Sequence, residues 1–127
     1  MSSDLTPGQR SLLETTLRLR HEELERLLKD QQGGLSRVEH ARELLTVDSD
    51  DVKHREAARE LDLQRAERAR SELSEVGAAL GRMQDGDYGQ CEDCDAGIAY
   101  DRLKIEPWAR RCIACESRRE REAQARR

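Results

Sequence analysis

The sequence predicts a mainly α-helical protein, with a long antiparallel helical hairpin (a coiled coil), a small cysteine-containing domain and a C-terminal helix. Three observations support this prediction. Charged residues make up 39% of the 127 residues and Phe is absent, a composition typical of long helices rather than of a large globular core. Apolar residues recur at helical spacings in two long segments. Four cysteines follow these segments as two equally spaced pairs.

The first helix is predicted to begin at Thr6, which suits the N-cap, with Pro7 in the first turn and Gln9 placed to complete a capping box. An apolar stripe follows, formed by Leu13, Leu17, Leu24, Leu27, Leu28, Leu35, Val38, Ala41 and Leu45. Gly33 and Gly34 interrupt it. Because each Gly costs a helix interior about 1 kcal/mol relative to Ala, we expect a kink or a frayed turn there, and a complete break stays open.

A polar segment, residues 46–51, separates this stripe from a second one. The second stripe comprises Ala66, Ala69, Leu73, Val76, Leu80 and Met83, and it thins to Ala57, Ala58 and Leu61 toward the polar segment. Gly86 and Gly89 are expected to end the helix. Two arms of about 30 residues joined by a short connection should be antiparallel, and each would span roughly 45 Å. We therefore expect a hairpin at 1–85 with an acidic tip at 46–53, and a second domain at 86–127.

The cysteines predict a metal site with the pattern Cys91-x₂-Cys94-x₁₇-Cys112-x₂-Cys115, which lies within the spacing range of tetrahedral Cys₄ zinc sites. Two residues between ligands let one tight knuckle present both sulfurs to one ion. The longer separation lets a second knuckle complete the tetrahedron. Four thiolates leave no position for water, so we predict one structural Zn²⁺. A rubredoxin-like iron site and a thiol redox pair are the alternatives.

Other candidate residues have simpler explanations. Tyr88 and Trp108 flank the knuckles and are expected to shield the metal site. Asp48, Asp50 and Asp51 are explained as helix caps, although carboxylates at a hairpin tip could also approach a metal ion or basic groups of a partner. The histidines have no ligand-like spacing and are expected to be solvated: His21, His40 and His54. The sequence contains no catalytic pattern, so we do not expect an enzyme.

The charge and the start of the chain bear on partners and compartment. A formal net charge of −4 makes non-specific nucleic-acid binding unfavourable, because such binding depends on neutralising phosphates. The polar residues 1–4 do not look like a signal peptide, and no apolar run approaches the roughly 20 residues that span a bilayer. We therefore expect a soluble, cytoplasmic protein, where reducing conditions favour metal binding over disulfides.

Taken together, the hairpin and the cysteine region resemble the DksA/TraR family. The residues that carry the resemblance are Gly86-Asp87-Tyr88-Gly89-Gln90-Cys91-x₂-Cys94, Arg102-Leu103, Pro107 and Cys112-Ile113. The resemblance covers about residues 35–120. It implies a transcription regulator that binds bacterial RNA polymerase without binding promoter DNA. In this family the hairpin enters the secondary channel, which leads to the active-site Mg²⁺, and its tip alters open-complex stability.

The resemblance also implies contact residues and partners. The family's tip motif, Asp-x-x-Asp-x-Ala, corresponds here to Asp48, Asp51 and Lys53, so both acids are kept while a bulky cation replaces the small residue. Arg68 matches an arginine that contacts polymerase in the family. We accordingly expect RNA polymerase as the partner, no direct sequence-specific DNA binding, no membrane association and a monomeric state.

Three positions depart from the family in a way that bears on ligand binding. Family members build part of a guanosine tetraphosphate (ppGpp) site from basic residues, and the corresponding residues here are Glu75, Glu106 and Glu116. Carboxylates repel a pyrophosphate and donate no hydrogen bonds to it, so we predict that no ppGpp binds at this site. Asp95 stands where family members often have Gly after the second cysteine. Because Asp tolerates the left-handed conformation better than most residues, the zinc prediction is unaffected.

Two other functions remain as alternatives. A zinc-ribbon module that binds nucleic acid would use the basic residues Arg102, Lys104, Arg110, Arg111, Arg118 and Arg119. Its duplex affinity would fall steeply with salt. A thiol-based redox sensor would use the four cysteines, although the sequence offers no resolving cysteine outside the cluster.

Overall fold

The computed structural model describes residues 5–44 and 49–126, with side chains described for residues 5–31 and 51–126. Four α-helices lie in these ranges: α1 (Pro7–Leu44), α2 (Ser49–Asp85), α3 (Tyr100–Ile105) and α4 (Ile113–Ala125). The predicted mainly α-helical fold is confirmed. α1 and α2 contain 38 and 37 residues, more than the expected 30. α1 continues through Gly33 and Gly34, and α2 begins at Ser49, inside the predicted polar segment. None of the helices described has a stretch that is both long and apolar enough to cross a membrane.

The predicted capping box at the start of α1 is confirmed. The backbone N–H of Gln9 donates to Thr6 Oγ1 at 3.1 Å, and the N–H of Thr6 donates to Gln9 Oε1 at 3.0 Å. Two N–H groups that the helix cannot pair internally are thereby satisfied. The side chains of these two residues therefore determine where α1 begins.

The expected interruption at Gly33 and Gly34 is not a break, since α1 continues through both residues. The propensity cost of two glycines is about 2 kcal/mol. Tertiary packing contributes more to a long helix in a protein than propensity does, so this cost does not end the helix.

A Schellman motif ends α2 at the predicted glycine. Gly86 has φ +85°, a conformation that glycine adopts without steric penalty. The N–H of Asp87 donates to Arg82 O at 2.9 Å, and the N–H of Gly86 reaches Met83 O at 3.4 Å. This pair of bonds satisfies the last carbonyls of the helix. The chain then turns directly into the cysteine region.

The chain forms two compact units, one of Met1–His21 with Glu75–Arg127 and the other of Glu22–Ser74. The first unit contains the start of α1, the end of α2 and the whole cysteine region. Its core is small and mixes helix and loop residues: Leu13, Leu17, Val76, Ala79, Tyr88, Cys91, Ile98, Leu103, Ala109 and Cys115. The sequence-based division at residue 85 stays a prediction.

Small residues let α1 and α2 approach closely in the first unit. A Cβ atom added at Gly77 would lie 3.9 Å from His21 Nε2, in ordinary van der Waals contact. His21 is half-buried here rather than solvated as expected, whereas His54 is exposed. His40 lies outside the residues whose side chains are described.

The second unit consists of the rest of α1 and α2, whose antiparallel direction follows from their short connection. Leu24, Ala66 and Ala69 are buried between these helices, as the stripes predict. Four predicted stripe residues are exposed instead: Leu27 by 40%, Leu61 by 52%, and also Ala57 and Ala58. Because several residues of the second stripe are alanines, the apolar face between the two helices is too narrow to cover these side chains. The predicted stripe residues Leu35, Val38, Ala41 and Leu45 lie outside the described side chains.

Replacement of a core leucine tests the packing of the first unit. Leu17 is fully buried, so Leu17→Ala should lower the free energy of unfolding by about 2–5 kcal/mol, through lost apolar burial and a cavity. Leu19, two residues away on the same helix, is 60% exposed and provides the control. Leu19→Ala should change the stability by less than about 1 kcal/mol. Urea denaturation followed by circular dichroism measures both, and equal losses would contradict the assigned core.

Candidate metal centre

The first knuckle is a tight loop closed by backbone hydrogen bonds. Gln90 and Gly97 form an isolated antiparallel bridge, in which Ile98 N donates to Gly89 O at 2.7 Å. Inside this loop, Cys91 N donates to Ala96 O at 2.8 Å. The bonds hold the loop closed around its two cysteines, so their sulfurs face the same point.

Asp95 completes this loop in the left-handed conformation, with φ +64°. Its N–H donates to Cys91 O at 3.0 Å, as expected of a residue that closes the turn after the second cysteine. The prediction that Asp can take the place of Gly here is therefore confirmed. A β-branched residue at this position would be strained.

The second knuckle is the N-terminus of α4. Cys112 is the N-cap residue of this helix, and Cys115 lies in its first turn. The N–H of Glu116 donates to Cys112 O at 3.0 Å, which fixes the first turn. Residues three apart lie on the same face of a helix, so both sulfurs point to the same side. The positive end of the helix dipole also favours thiolates at this point.

The four sulfurs, those of Cys91, Cys94, Cys112 and Cys115, all lie within 4.8 Å of one another. Across the two knuckles, Cys94 Sγ and Cys112 Sγ are 3.8 Å apart. Four Zn–S bonds of about 2.3 Å at tetrahedral angles require sulfurs about 3.8 Å apart, whereas a disulfide requires about 2 Å. The arrangement therefore fits one Zn²⁺. Because four thiolates fill the tetrahedron, the zinc is structural.

The local environment affects the thiols in opposite directions. Burial raises the pKa of Cys91, but backbone N–H groups, that of Cys112 foremost, donate to its sulfur and lower the pKa to about 6. A hydrogen bond with Cys112, together with burial, raises the pKa of Cys115 to about 12. One sulfur is thus prepared as a thiolate near neutral pH, while another gives up its proton only to a strong competitor such as a metal ion.

The region between the knuckles is attached by two buried or half-buried contacts, one to α2 and one to the turn that follows it. The hydroxyl of Tyr88 donates to Pro107 O at 2.7 Å, and burial raises its pKa to about 12. Arg82 Nη2 donates to Trp108 O at 3.2 Å. Tyr88 is buried and Trp108 half-buried.

The short helix α3 also lies between the two knuckles and is packed through its buried Leu103. Sequence reasoning did not predict this helix.

An ionic network surrounds the cysteines, and sequence reasoning did not anticipate it. Its members are the acids Glu92, Asp93 and Glu116 and the arginines Arg110, Arg111 and Arg119. A hydrogen bond from Arg119 holds the pKa of Asp93 below its usual value. The sequence did contain a signal for this network: two acids lie between Cys91 and Cys94, and two arginines directly precede Cys112.

The three glutamates that replace basic residues of the family are all paired with arginines. Glu75 Oε2 lies 2.8 Å from Arg110 Nε, and Glu116 Oε2 lies 3.2 Å from Arg111 Nη1. Glu106 Oε2 lies 3.5 Å from Arg102 Nη2. The guanidinium groups that could otherwise bind an anion here are therefore already paired with carboxylates of the protein.

Of the residues expected at the tip, Asp51 and Lys53 lie in α2 and are not brought together with Arg68. Asp51 and Lys53 are exposed near the start of the helix, while Asp48 lies outside the described residues. Arg68 is exposed and lies 17 residues further on, about 25 Å along the helix axis. The roles assigned to these residues by resemblance stay predictions.

Comparison with known proteins gives similarities at three levels. Residues 86–121 match the family described as the prokaryotic dksA/traR C4-type zinc finger. The chain is 36% identical over 66 residues to the RNA polymerase-binding transcription factor DksA of Caulobacter vibrioides, a match that covers 52% of this chain and 46% of the relative. DksA of Escherichia coli K12 is 33% identical over 57 residues, 45% of this chain and 38% of that protein. These matches thus span less than half of the curated relatives.

A solved structure extends the similarity to most of the chain. The structure of transcription factor DksA2 from Pseudomonas aeruginosa matches with a TM-score of 0.78 and 28% identity. The match covers 93% of this chain and 88% of that one. It therefore includes the long helices as well as the cysteine region.

The thiol environments predict that zinc affinity depends on pH. Zinc binds thiolates, so binding must displace the Cys115 proton, and the apparent affinity should fall as the pH is lowered. The fall should become steeper below pH about 6, where Cys91 also takes up a proton. Competition with a chromogenic chelator measures this, with free zinc titrated at each pH as the control for the chelator. A constant affinity from neutral to acidic pH would contradict the assigned ligands.

Proposed function

Because this chain belongs to the DksA/TraR family, we propose that it is a transcription regulator, not an enzyme, that binds bacterial RNA polymerase. The observation that carries the proposal is the match to a transcription factor over 93% of the chain, with the cysteine site included. The curated relatives are named RNA polymerase-binding transcription factors. A cytoplasmic location and a monomeric state are parts of the same proposal.

The second unit is the part proposed to enter the secondary channel of polymerase. Its helix segments, residues 22–44 and 49–74, are about 35 Å and about 39 Å long, and each is about 10 Å across. A pair of such helices is narrow enough for insertion into a pore. Asp51 and Lys53 are exposed near the start of α2, where they can meet a partner. Asp48 is proposed to act with them and Arg68 to contact polymerase along the arm.

Action without binding promoter DNA is supported by the state of the basic residues. Nucleic-acid binding requires cations that are free to neutralise phosphates. Of the six basic residues in the zinc-ribbon alternative, five lie in ion pairs with carboxylates: Arg102, Lys104, Arg110, Arg111 and Arg119. Arg118 directs Nη2 toward Cys115 Sγ at 3.9 Å. This region therefore presents little uncompensated positive charge.

Independence from ppGpp at the family's site is proposed on the same grounds. Glu75, Glu106 and Glu116 add negative charge where a pyrophosphate would bind, and each also engages an arginine. An incoming pyrophosphate would have to displace three carboxylates from their partners and then lie beside them. Both requirements oppose binding.

Substitution of a tip aspartate separates binding from action. Asp51→Asn removes a charge and keeps the shape, and one exposed charge contributes at most about 1 kcal/mol, so polymerase affinity should change by less than about fivefold. The effect on open-complex lifetime should be clearly weakened. In vitro transcription and a direct binding assay with purified polymerase measure the two. Asp62→Asn, an acid-to-amide change further along α2, is the matched control and should leave both intact.

A proportional loss of binding and effect in Asp51→Asn would count against an active tip. Lack of polymerase binding by the wild-type protein would remove the proposed function itself.

Addition of ppGpp tests whether this protein acts independently of that nucleotide. The transcriptional effect of this protein should be the same with and without ppGpp, because no basic cluster is available to bind it. A family member with basic residues at the three positions must respond under the same conditions. A ppGpp response that disappears when Glu75, Glu106 and Glu116 are changed to Ala would overturn this proposal.

A further inference from the structure

Arg111 connects the two cysteine knuckles through its side chain. It directly precedes Cys112, whereas its partners Glu92 and Asp93 are the two residues between Cys91 and Cys94. Arg111 Nη2 lies 2.5 Å from Glu92 Oε1 and donates a hydrogen bond to it. Arg111 Nε lies 3.3 Å from Asp93 Oδ2 as an ion pair without hydrogen-bond geometry. The guanidinium group of Arg111 therefore connects the same two knuckles that the metal ion connects.

α4 adds two further contacts to this connection. Arg111 Nη1 donates to Glu116 Oε2 at 3.2 Å. Arg119, one turn of helix after Cys115, forms a bidentate pair with Asp93, at 2.8 Å from Nε and 3.0 Å from Nη2. Arg–carboxylate pairs of this kind combine charge with fixed geometry. The helix that carries the second knuckle is therefore attached to the first knuckle by its own side chains.

The burial of this cluster separates it from ordinary surface ion pairs. The side chains of Arg111 and Asp93 are only 19% and 13% exposed. The Arg18–Glu14 pair on α1, by comparison, is 65% and 41% exposed. Exposed pairs contribute little to stability, and partly buried pairs are less screened by solvent and salt. The contacts of Arg111 are thus of the kind that can hold two segments together.

We propose that Arg111 is a positioning residue for the zinc site, which keeps Cys112 facing the first knuckle and thereby slows the loss of zinc. For the ion to leave, the knuckles must separate, and separation also breaks the guanidinium contacts with Glu92 and Asp93. Zn²⁺ with four thiolates carries a net charge of about −2, so nearby guanidinium groups also stabilise the loaded site. Arg119 supports Arg111 by orienting Asp93.

The rate of zinc transfer to an excess of chromogenic chelator tests this proposal on the full-length zinc-loaded protein. Arg111→Gln should release zinc about tenfold faster than the wild type, the usual scale for loss of a group that orients metal ligands. Arg111→Lys keeps the positive charge but loses the planar guanidinium group, so its rate of zinc release should lie between those of the wild type and Arg111→Gln. Arg18→Gln, which removes an exposed pair in the same unit, should leave the rate unchanged. Equal rates for wild type and Arg111→Gln would overturn the proposal.

A second comparison distinguishes positioning from general stability. Leu17→Ala weakens the core of the same unit without touching the knuckles. Under the proposal it lowers the free energy of unfolding at least as much as Arg111→Gln, yet releases zinc close to the wild-type rate. Zinc loss from Leu17→Ala as fast as from Arg111→Gln would show that release follows global unfolding, and the assignment would be wrong.

If Arg111→Gln does not fold, Arg119→Gln provides the same test from a more exposed position. Arg119 is 52% exposed, and its loss frees Asp93 while Arg111 remains. Zinc release should then be about threefold faster than in the wild type, a fraction of the effect of losing Arg111. Arg121→Gln is the matched control, since Arg121 is an exposed arginine on the same helix. Identical rates for the Arg119 and Arg121 variants would refute the proposal.

Discussion

The convergence of four thiolates on one zinc ion is the constraint on which the first unit depends. The apolar core of that unit is small for the segments it must organise, and two of its buried residues are themselves the ligands Cys91 and Cys115. A small core of this kind does not normally outweigh the conformational entropy of the loops it orders. Metal binding supplies free energy of folding directly, because the site does not exist in the unfolded chain. The zinc is therefore a part of the core rather than an addition to it.

Local features were the most predictable from the sequence. The capping box of Thr6 and Gln9, the end of α2 at Gly86 and the left-handed turn at Asp95 depend on residues within a few positions of each other. The stereochemistry of these residue types leaves few alternatives. The cysteine spacing belongs to the same class, since two residues between ligands already imply a shared ion.

Features that depend on tertiary packing were predicted less well. Gly33 and Gly34 do not break α1, and Leu27 is exposed although it lies on the predicted stripe. Helical periodicity does not encode the tertiary packing that decides such outcomes. The same holds for the contacts of Arg111 with Glu92 and Asp93, which lie 19 and 18 residues earlier in the chain. Opposite charges were visible in the sequence, but their pairing requires the knuckles to be folded.

The distribution of charge has a consequence for the evolution of this surface. Carboxylates at Glu75, Glu106 and Glu116 each engage an arginine, so replacement of one glutamate by a basic residue would leave two cations facing each other. Like charges at such distances are destabilising. A return to a basic anion-binding site would therefore need coordinated changes at acids and arginines alike. Single substitutions would pass through less stable intermediates.

Cys112 has two structural roles that have to be fulfilled by the same residue. It is the N-cap of α4 and also a metal ligand, and its side chain makes no capping hydrogen bond. Its sulfur lies among the three other cysteine sulfurs instead of capping the N–H groups of the first turn, so the orientation of the beginning of α4 is tied to the metal site. Occupancy of the site and order at the amino end of this helix are therefore linked thermodynamically. The backbone amides of residues 113–116 would act as a built-in reporter of metal content, readable by hydrogen exchange without any added probe.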